Sequence, residues 1–146
     1  MRVLMADNFV MVTGDTVSVT IPGIVIPVAQ TPQPLVGTSQ DLTFGGAFVC
    51  LEGDELAPTL KGPLTFTESG YSITGTGTLK LVPSPGVNLT TLLKDNNKAL
   101  LIKGAPFSAV FTVTTPAANP NGQTASNAPK NGTATFATKN NVFTAQ

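Results

Sequence analysis

The chain has 146 residues, with eight basic and eight acidic side chains, no histidine and one cysteine. Charged residues make up 11% of it, against about 25% in an average protein. A formal net charge of zero leaves no electrostatic footprint for nucleic acid or an anionic membrane surface. Without histidine, a Ser-His-Asp or Cys-His triad, an imidazole base and a histidine-ligated zinc site are excluded. A single cysteine excludes an internal disulfide, a dithiol redox pair and a Cys-only zinc site.

Thr, Asn, Gly and Pro stand where charge is missing, which is the composition of a β-protein rich in turns. The length suits one core, and the expectation is a single β-rich domain over residues 1–146. The start, Met1 to Asp7, has too few apolar residues for a secretory segment of about 7–15, and no run approaches the roughly 18 needed to cross a membrane as a helix. The reading is a protein made in the cytoplasm without a signal peptide or membrane anchor.

Along the chain, Phe9 to Thr13 and Thr16 to Ile21 flank the turn dipeptide Gly14-Asp15 and read as a hairpin. Val17, Val19 and Ile21 alternate with Thr16, Ser18 and Thr20, which gives the second run one buried face. Pro22-Gly23 breaks it, and Pro27, Pro32 and Pro34 mark 27–40 as an irregular extended connection. Ala47 to Leu51 reads as a buried strand, ended by the acidic turn Glu52-Gly53-Asp54-Glu55, in which Gly53 supplies a positive φ.

Leu64 to Thr67 reads as a short strand. Tyr71 to Ile73 and Gly77 to Val82 follow as strands with Gly75 and Gly77 between them, and alternate glycines signal a bulge or a close backbone approach. The segment from Gly45 to Glu55 is expected to pair with that from Tyr71 to Leu81. Leu89, Leu92 and Leu93 fall at i, i+3, i+4, so 89–94 is the one short helix predicted. Ala99 to Ile102 and Ser108 to Thr115 read as strands, 116–132 as a long mobile Pro/Gly/Asn-rich loop, and Thr133 to Thr138 with Val142-Phe143 as a closing pair. No regular repeat stands out. The fold class is all-β, a compact cone, barrel or sandwich of short strands.

Residues that suggest chemistry have stronger structural readings. Cys50 lies in the apolar run Phe48-Val49-Cys50-Leu51, as a small core residue with an inert thiol does. Glu52 and Asp54, two apart, would stand about 7 Å apart on one strand face, near glycosidase spacing, but a turn of solvated carboxylates is far commoner. The cluster lacks the spacing of an EF-hand loop, and Gly75-Thr76-Gly77-Thr78-Leu79-Lys80 matches no phosphate-binding loop. The assignments are no catalytic residue, no metal and no cofactor. Cys50, Glu52, Gly53, Asp54, Glu55, Gly75 and Gly77 form a structural motif.

Several segments occur in an order that resembles the PAAR-like spike-tip proteins of contractile injection systems, the phage-tail-like and type VI secretion particles. These are Gly14-Asp15-Thr16, Phe48 to Glu55, Ile73 to Leu81, Leu101 to Val113 and Pro116-Ala117. The Cys-x-Glu-Gly-Asp-Glu and Gly-Thr-Gly-Thr-Leu-Lys segments are the most specific. The resemblance implies a non-enzymatic β-rich cone that caps a trimeric central spike, one copy per trimer, and helps it pierce a target envelope after delivery outside the cell. It also implies that a toxin cargo is carried by some relatives. The metal-bearing members hold their metal with histidines and a cysteine; this chain has no histidine, and Cys50 alone cannot hold that metal. The alternatives are a capsid or tail decoration protein of a phage-like particle and a carbohydrate-binding β-domain.

Overall fold

The computed structural model of the chain describes residues 8–139 and 144–145. Its strands, in chain order, are β1 (Thr16–Thr20), β2 (Ile24–Val25), β3 (Gln33–Pro34), β4 (Thr43–Phe44), β5 (Ala47–Phe48), β6 (Leu64–Glu68), β7 (Gly75–Val82), β8 (Leu89–Asp95), β9 (Lys98–Leu101), β10 (Phe107–Thr115) and β11 (Lys130–Ala137). Among the described residues, helix is confined to two 3-10 turns, Pro27–Ala29 and Pro58–Leu60. The all-β expectation is met.

Seven strands form one curled, half-barrel sheet in the order β2-β6-β7-β10-β11-β1-β3, with antiparallel neighbours throughout. Period-2 alternation dictates which face is inside: β6, β7 and β10 bury Leu64, Phe66, Leu79, Leu81, Phe107, Ala109, Phe111 and Val113 and expose the residues between. The two edges, β2 and β3, are two residues each. They are consecutive in the chain and are joined through the Pro27–Ala29 turn. Short edges flanked by Pro22, Pro27, Pro32 and Pro34 give another chain little to pair with.

Inside the curl, Gly75 and Gly77 lie under two aromatic rings. A Cβ on Gly75 would come within 2.6 Å of the Phe66 ring, and one on Gly77 within 2.6 Å of the Phe111 ring. Phe66 and Phe111 meet edge to face with centroids 5.2 Å apart, a favoured aromatic geometry. Opposite the glycines, β10 shifts register between Val113 and Thr115.

Several expectations are corrected. Residues 89–94 are strand, not helix, because the Asn96-Asn97 turn, with φ of 52° and 63°, folds β8 back on β9 as a tight hairpin. A two-turn helix has no comparable local support. Phe9 to Thr13 does not form a hairpin with β1, which pairs with β11 and β3 instead. The apolar side chains of the first run divide between two clusters, Val10 and Val12 in one and Met11 with Val17 in the other, and alternation alone does not say which core a face meets. The segment around Cys50 does not pair with β7, whose neighbours are β6 and β10. Tyr71 to Ile73 is no strand, and only Ile73 bridges, to Ala118. Within 116–132, Ala117 and Ala125 are buried and β11 already begins at Lys130. Val142-Phe143 lies outside the described residues.

Candidate functional site

Below the half-barrel, three short segments that are far apart in sequence hydrogen-bond in a closed cycle. Cys50 N donates to Met11 O at 2.8 Å, Leu101 N to Cys50 O at 3.0 Å, and Met11 N to Leu101 O at 3.0 Å. Flanking it, a second set of bonds runs round the ring in the opposite sense: Thr13 N donates to Phe48 O at 2.9 Å, Glu52 N to Ala99 O at 2.8 Å, and Lys103 N to Phe9 O at 2.9 Å. Between these lie three antiparallel bridges, Val12 with Val49, Leu51 with Leu100, and Ile102 with Val10. Each segment pairs with the next through its second half and with the previous one through its first half. The result is a ring with pseudo-threefold symmetry about Met11, Cys50 and Leu101.

The ring divides the core. Met11, Cys50 and Leu101 face the large cluster under the seven-stranded sheet. Their neighbours Val10, Val12, Val49, Leu51, Leu100 and Ile102 face the opposite way into a second cluster, completed by Ala145 and by the partly buried Leu42, Phe44 and Ala47. Residue i and residues i±1 in a strand point to opposite faces, so three short strands suffice to separate two apolar layers.

The three segments are also similar in sequence: Phe9-Val10-Met11-Val12-Thr13-Gly14-Asp15, Phe48-Val49-Cys50-Leu51-Glu52-Gly53-Asp54 and Ala99-Leu100-Leu101-Ile102-Lys103-Gly104-Ala105. Their centres are 39 and 51 residues apart (50 − 11 and 101 − 50), an irregular spacing that hides the repeat from a search for a fixed period. The signal was nonetheless present, since Phe-Val, an apolar residue two positions on and then Gly-Asp occur twice. Each segment leaves the ring at its glycine with positive φ, 96° at Gly14, 105° at Gly53 and 56° at Gly104, a conformation that other residues adopt at a cost.

The acidic residues after those glycines hold the ring. Asp15 Oδ2 accepts from Val12 N at 2.8 Å and Asp54 Oδ2 from Leu51 N at 2.8 Å, which are equivalent positions. Asp54 Oδ2 also accepts from Thr38 N and Thr38 Oγ1, and Gly53 N donates to Glu55 Oε1. The third unit has Ala105 in place of an aspartate. There the equivalent Ile102 N donates to Asn88 O, and the buried Asn88 side chain donates to Lys103 O and Ala105 O.

The second and third units share a hairpin upstream. β4 pairs with β5 as Thr43 with Phe48 and Phe44 with Ala47; β8 pairs with β9 as Lys94 with Ala99 and Asp95 with Lys98. Each hairpin therefore repeats the other 51 residues later (94 − 43 and 99 − 48). Both turns, Gly45-Gly46 and Asn96-Asn97, have positive φ. Ser39 Oγ donates to Asp95 Oδ2 at 2.6 Å and so ties the two units together.

Of the residues singled out from sequence, Cys50, Glu52, Gly53, Asp54 and Glu55 sit together on the second ring segment and its exit turn, whereas Gly75 and Gly77 lie in β7 of the seven-stranded sheet. The carboxylates are not arranged as an acid–base pair. Glu52 is exposed, and Asp54 is committed to backbone and hydroxyl donors. Among the described residues, no group of three or more Cys, Asp or Glu is placed to hold a metal ion.

Cys50 is fully buried. Burial pushes its thiol pKa far up, and the nearby Asp54 and Asp15 charges push it further, so thiolate is scarce at neutral pH. Thiol reagents should label Cys50 slowly in native buffer and rapidly in denaturant; fast native labelling would contradict this packing.

Burial also raises the Glu55 carboxyl above its ordinary value, opposed by the Gly53 and Glu55 backbone N–H groups and aided by the Asp54 and Glu52 charges. A carboxyl raised in the folded state favours folding while protonated, and that contribution is lost as pH climbs from the ordinary carboxylate range through the raised value. Glu55→Gln should therefore flatten the decline in Tm across that window. Superimposable Tm–pH profiles of the two proteins would refute the assignment.

Residues 5–146 match the family model described as contractile injection system spike tip protein. No curated protein matches the chain.

Proposed function

Because the chain belongs to the contractile injection system spike tip family, we propose that it is a non-enzymatic structural cap, seated as one copy on the end of a trimeric central spike and driven with it through a target envelope. The observation that carries this reading is the pseudo-threefold ring. A single chain meeting three identical chains faces a symmetry mismatch, and the ring removes it by presenting three similar backbone segments around one axis.

The rest of the molecule suits a mechanical part. Its strands are cross-linked by hydrogen bonds between segments remote in sequence, and its prolines and short edges limit conformational freedom. The carboxylates at the ring exits hold backbone N–H groups and Cys50 is sealed, which supports a role without turnover. Among the described residues no helix is long and apolar enough to cross a membrane, and a zero net charge supports neither nucleic acid nor anionic lipid as a partner.

The test is to mix the purified protein with the trimeric spike protein of the same particle and measure mass by light scattering. One copy of this chain per three spike chains is expected. Self-trimerisation without spike binding would overturn the reading in favour of a decoration protein.

A further inference from the structure

We infer that Asn121 is a site of spontaneous covalent modification, at which the side-chain amide is lost to give aspartate or isoaspartate in a turn that clamps two loops together. The inference is independent of the cap role.

Asn is followed by Gly twice in the chain, at Asn121-Gly122 and Asn131-Gly132. The pair matters because the backbone nitrogen of the second residue is the nucleophile, and glycine places no side chain beside it. The Gly122 nitrogen gives its proton to solvent and attacks Cγ of Asn121. The Cγ–Nδ2 bond breaks, and Nδ2 takes a proton from solvent and departs as ammonia. Water then opens the cyclic imide at either carbonyl: opening at Cγ leaves aspartate, and opening at the main-chain carbonyl leaves isoaspartate, whose chain runs through the side chain. Overall an amide and a water become a carboxylate and an ammonium ion, and nothing is oxidised or reduced.

Local structure favours the first pair and blocks the second. Asn121 and Gly122 are both exposed and close a turn in which Gly122 N donates to Asn119 O at 2.9 Å. Asn121 Oδ1 accepts from Gln123 N at 3.0 Å, so a donor is already aimed at the oxygen that becomes negative when Cγ is attacked. Gly122 has a φ of 91° and open space around its Cβ position, which leaves its nitrogen free to swing toward Cγ once the bond to Asn119 O is given up.

Asn131 and Gly132 instead lie inside β11, in register with Val110 and Ala109 of β10. A Cβ on Gly132 would stand 2.1 Å from Thr20 O and 2.8 Å from Ile21. This backbone is hemmed in and turns only when the sheet opens. Asn119, beside the reactive turn, is followed by Pro120, which has no N–H to give up and cannot attack.

The position of Asn121 gives the modification a consequence. Asn119 N donates to Gln123 O at 2.8 Å across the turn. The Asn119 side chain accepts from Ser72 N at 3.1 Å and donates to Gly70 O at 3.1 Å, and Ile73 and Ala118 exchange both backbone bonds. Isoaspartate adds one carbon to the main chain between Asn119 and Gln123. The turn then loses its register, and the clamp on Ser72 and Ile73 loosens.

The experiment incubates the full chain in mildly alkaline buffer, native and in urea, and follows each asparagine by peptide mass spectrometry, with a methyltransferase specific for isoaspartate reporting the isomer. Native conversion at Asn121 is expected to outrun that at Asn131 by about tenfold or more, and the two rates should converge in urea. Equal native rates, or a native Asn121 that stays intact while the same residue converts in urea, overturn the inference. Amide exchange reads the consequence. Ser72 and Ile73 should exchange faster in the isoaspartate product and as wild type does in Asn121→Asp, which carries the charge without the extra carbon. Unchanged exchange in the isoaspartate product rejects the loosened clamp.

Discussion

Phe111→Ala is expected to cost about 3–5 kcal/mol of folding stability, a large share of the roughly 5–15 kcal/mol that holds a domain of this kind together. Phe111 is fully buried at the centre of the half-barrel, edge-on to Phe66 and lying over the backbone of Gly77. Its removal leaves a cavity bounded by strand backbone, and backbone paired on both sides cannot collapse to fill it.

The glycine supplies the complementary half of the test. A Cβ at Gly77 would meet the Phe111 ring at 2.6 Å and Thr112 O at 2.5 Å. Gly77→Ala should therefore destabilise wild type strongly and the Phe111→Ala protein less, since the ring component of the clash has gone and the carbonyl component remains. Urea titrations of the four proteins give the coupling. An equal cost in both backgrounds would mean that the ring does not set the need for glycine.

The second large effect is expected at the ring. Asp15→Ala should cost about 3 kcal/mol, because loss of a charge-assisted acceptor combines with an orphaned buried donor. Asp15 is 5% exposed. Its carboxylate accepts from Val12 N at 2.8 Å, Thr138 Oγ1 at 2.6 Å and Lys139 N at 3.3 Å. The same change at Asp54, the equivalent position of the second unit, should cost less, since Asp54 is only half-buried and water can replace the carboxylate. Urea midpoints give the ranking, and amide exchange at Val12 gives the mechanism. Equal losses at the two aspartates, or a Val12 amide that stays protected in Asp15→Ala, would show that the ring is not held in this way.

The strands were legible wherever side chains alternate. β1, β6, β10 and β11 follow from period 2 in Val17, Phe66, Phe111 and Phe136 and their neighbours, because a half-buried strand writes its burial into every second residue. The error over 89–94 has the opposite cause. Leu89, Leu92 and Leu93 have helical spacing, but only Leu89 is buried, and the other two are displaced by a bulge that hydrogen bonds to Thr90 create. Spacing records which residues are apolar, not which of them reach a core.

The candidate site was partly legible. Cys50 and the carboxylates of 52–55 were recognised as strand and turn, and the likeness of their wording to spike-tip proteins pointed to the family that the chain belongs to. The ring itself went unread, although its three segments carry related residues, because they are unequally spaced and the third has exchanged Phe for Ala and Asp for Ala.

The sequence by itself determined that the chain is built of strands, that it has no imidazole and that its one thiol lies in an apolar run, since composition and alternation act locally. Only the tertiary structure decided which strand meets which. Backbone hydrogen bonds are the same for every residue, so the likeness of the segments around Met11, Cys50 and Leu101 does not by itself say that they pair. The closed cycle that joins them arises from long-range packing, which places three remote strands side by side and turns a buried strand with an acidic turn into one third of a symmetric platform.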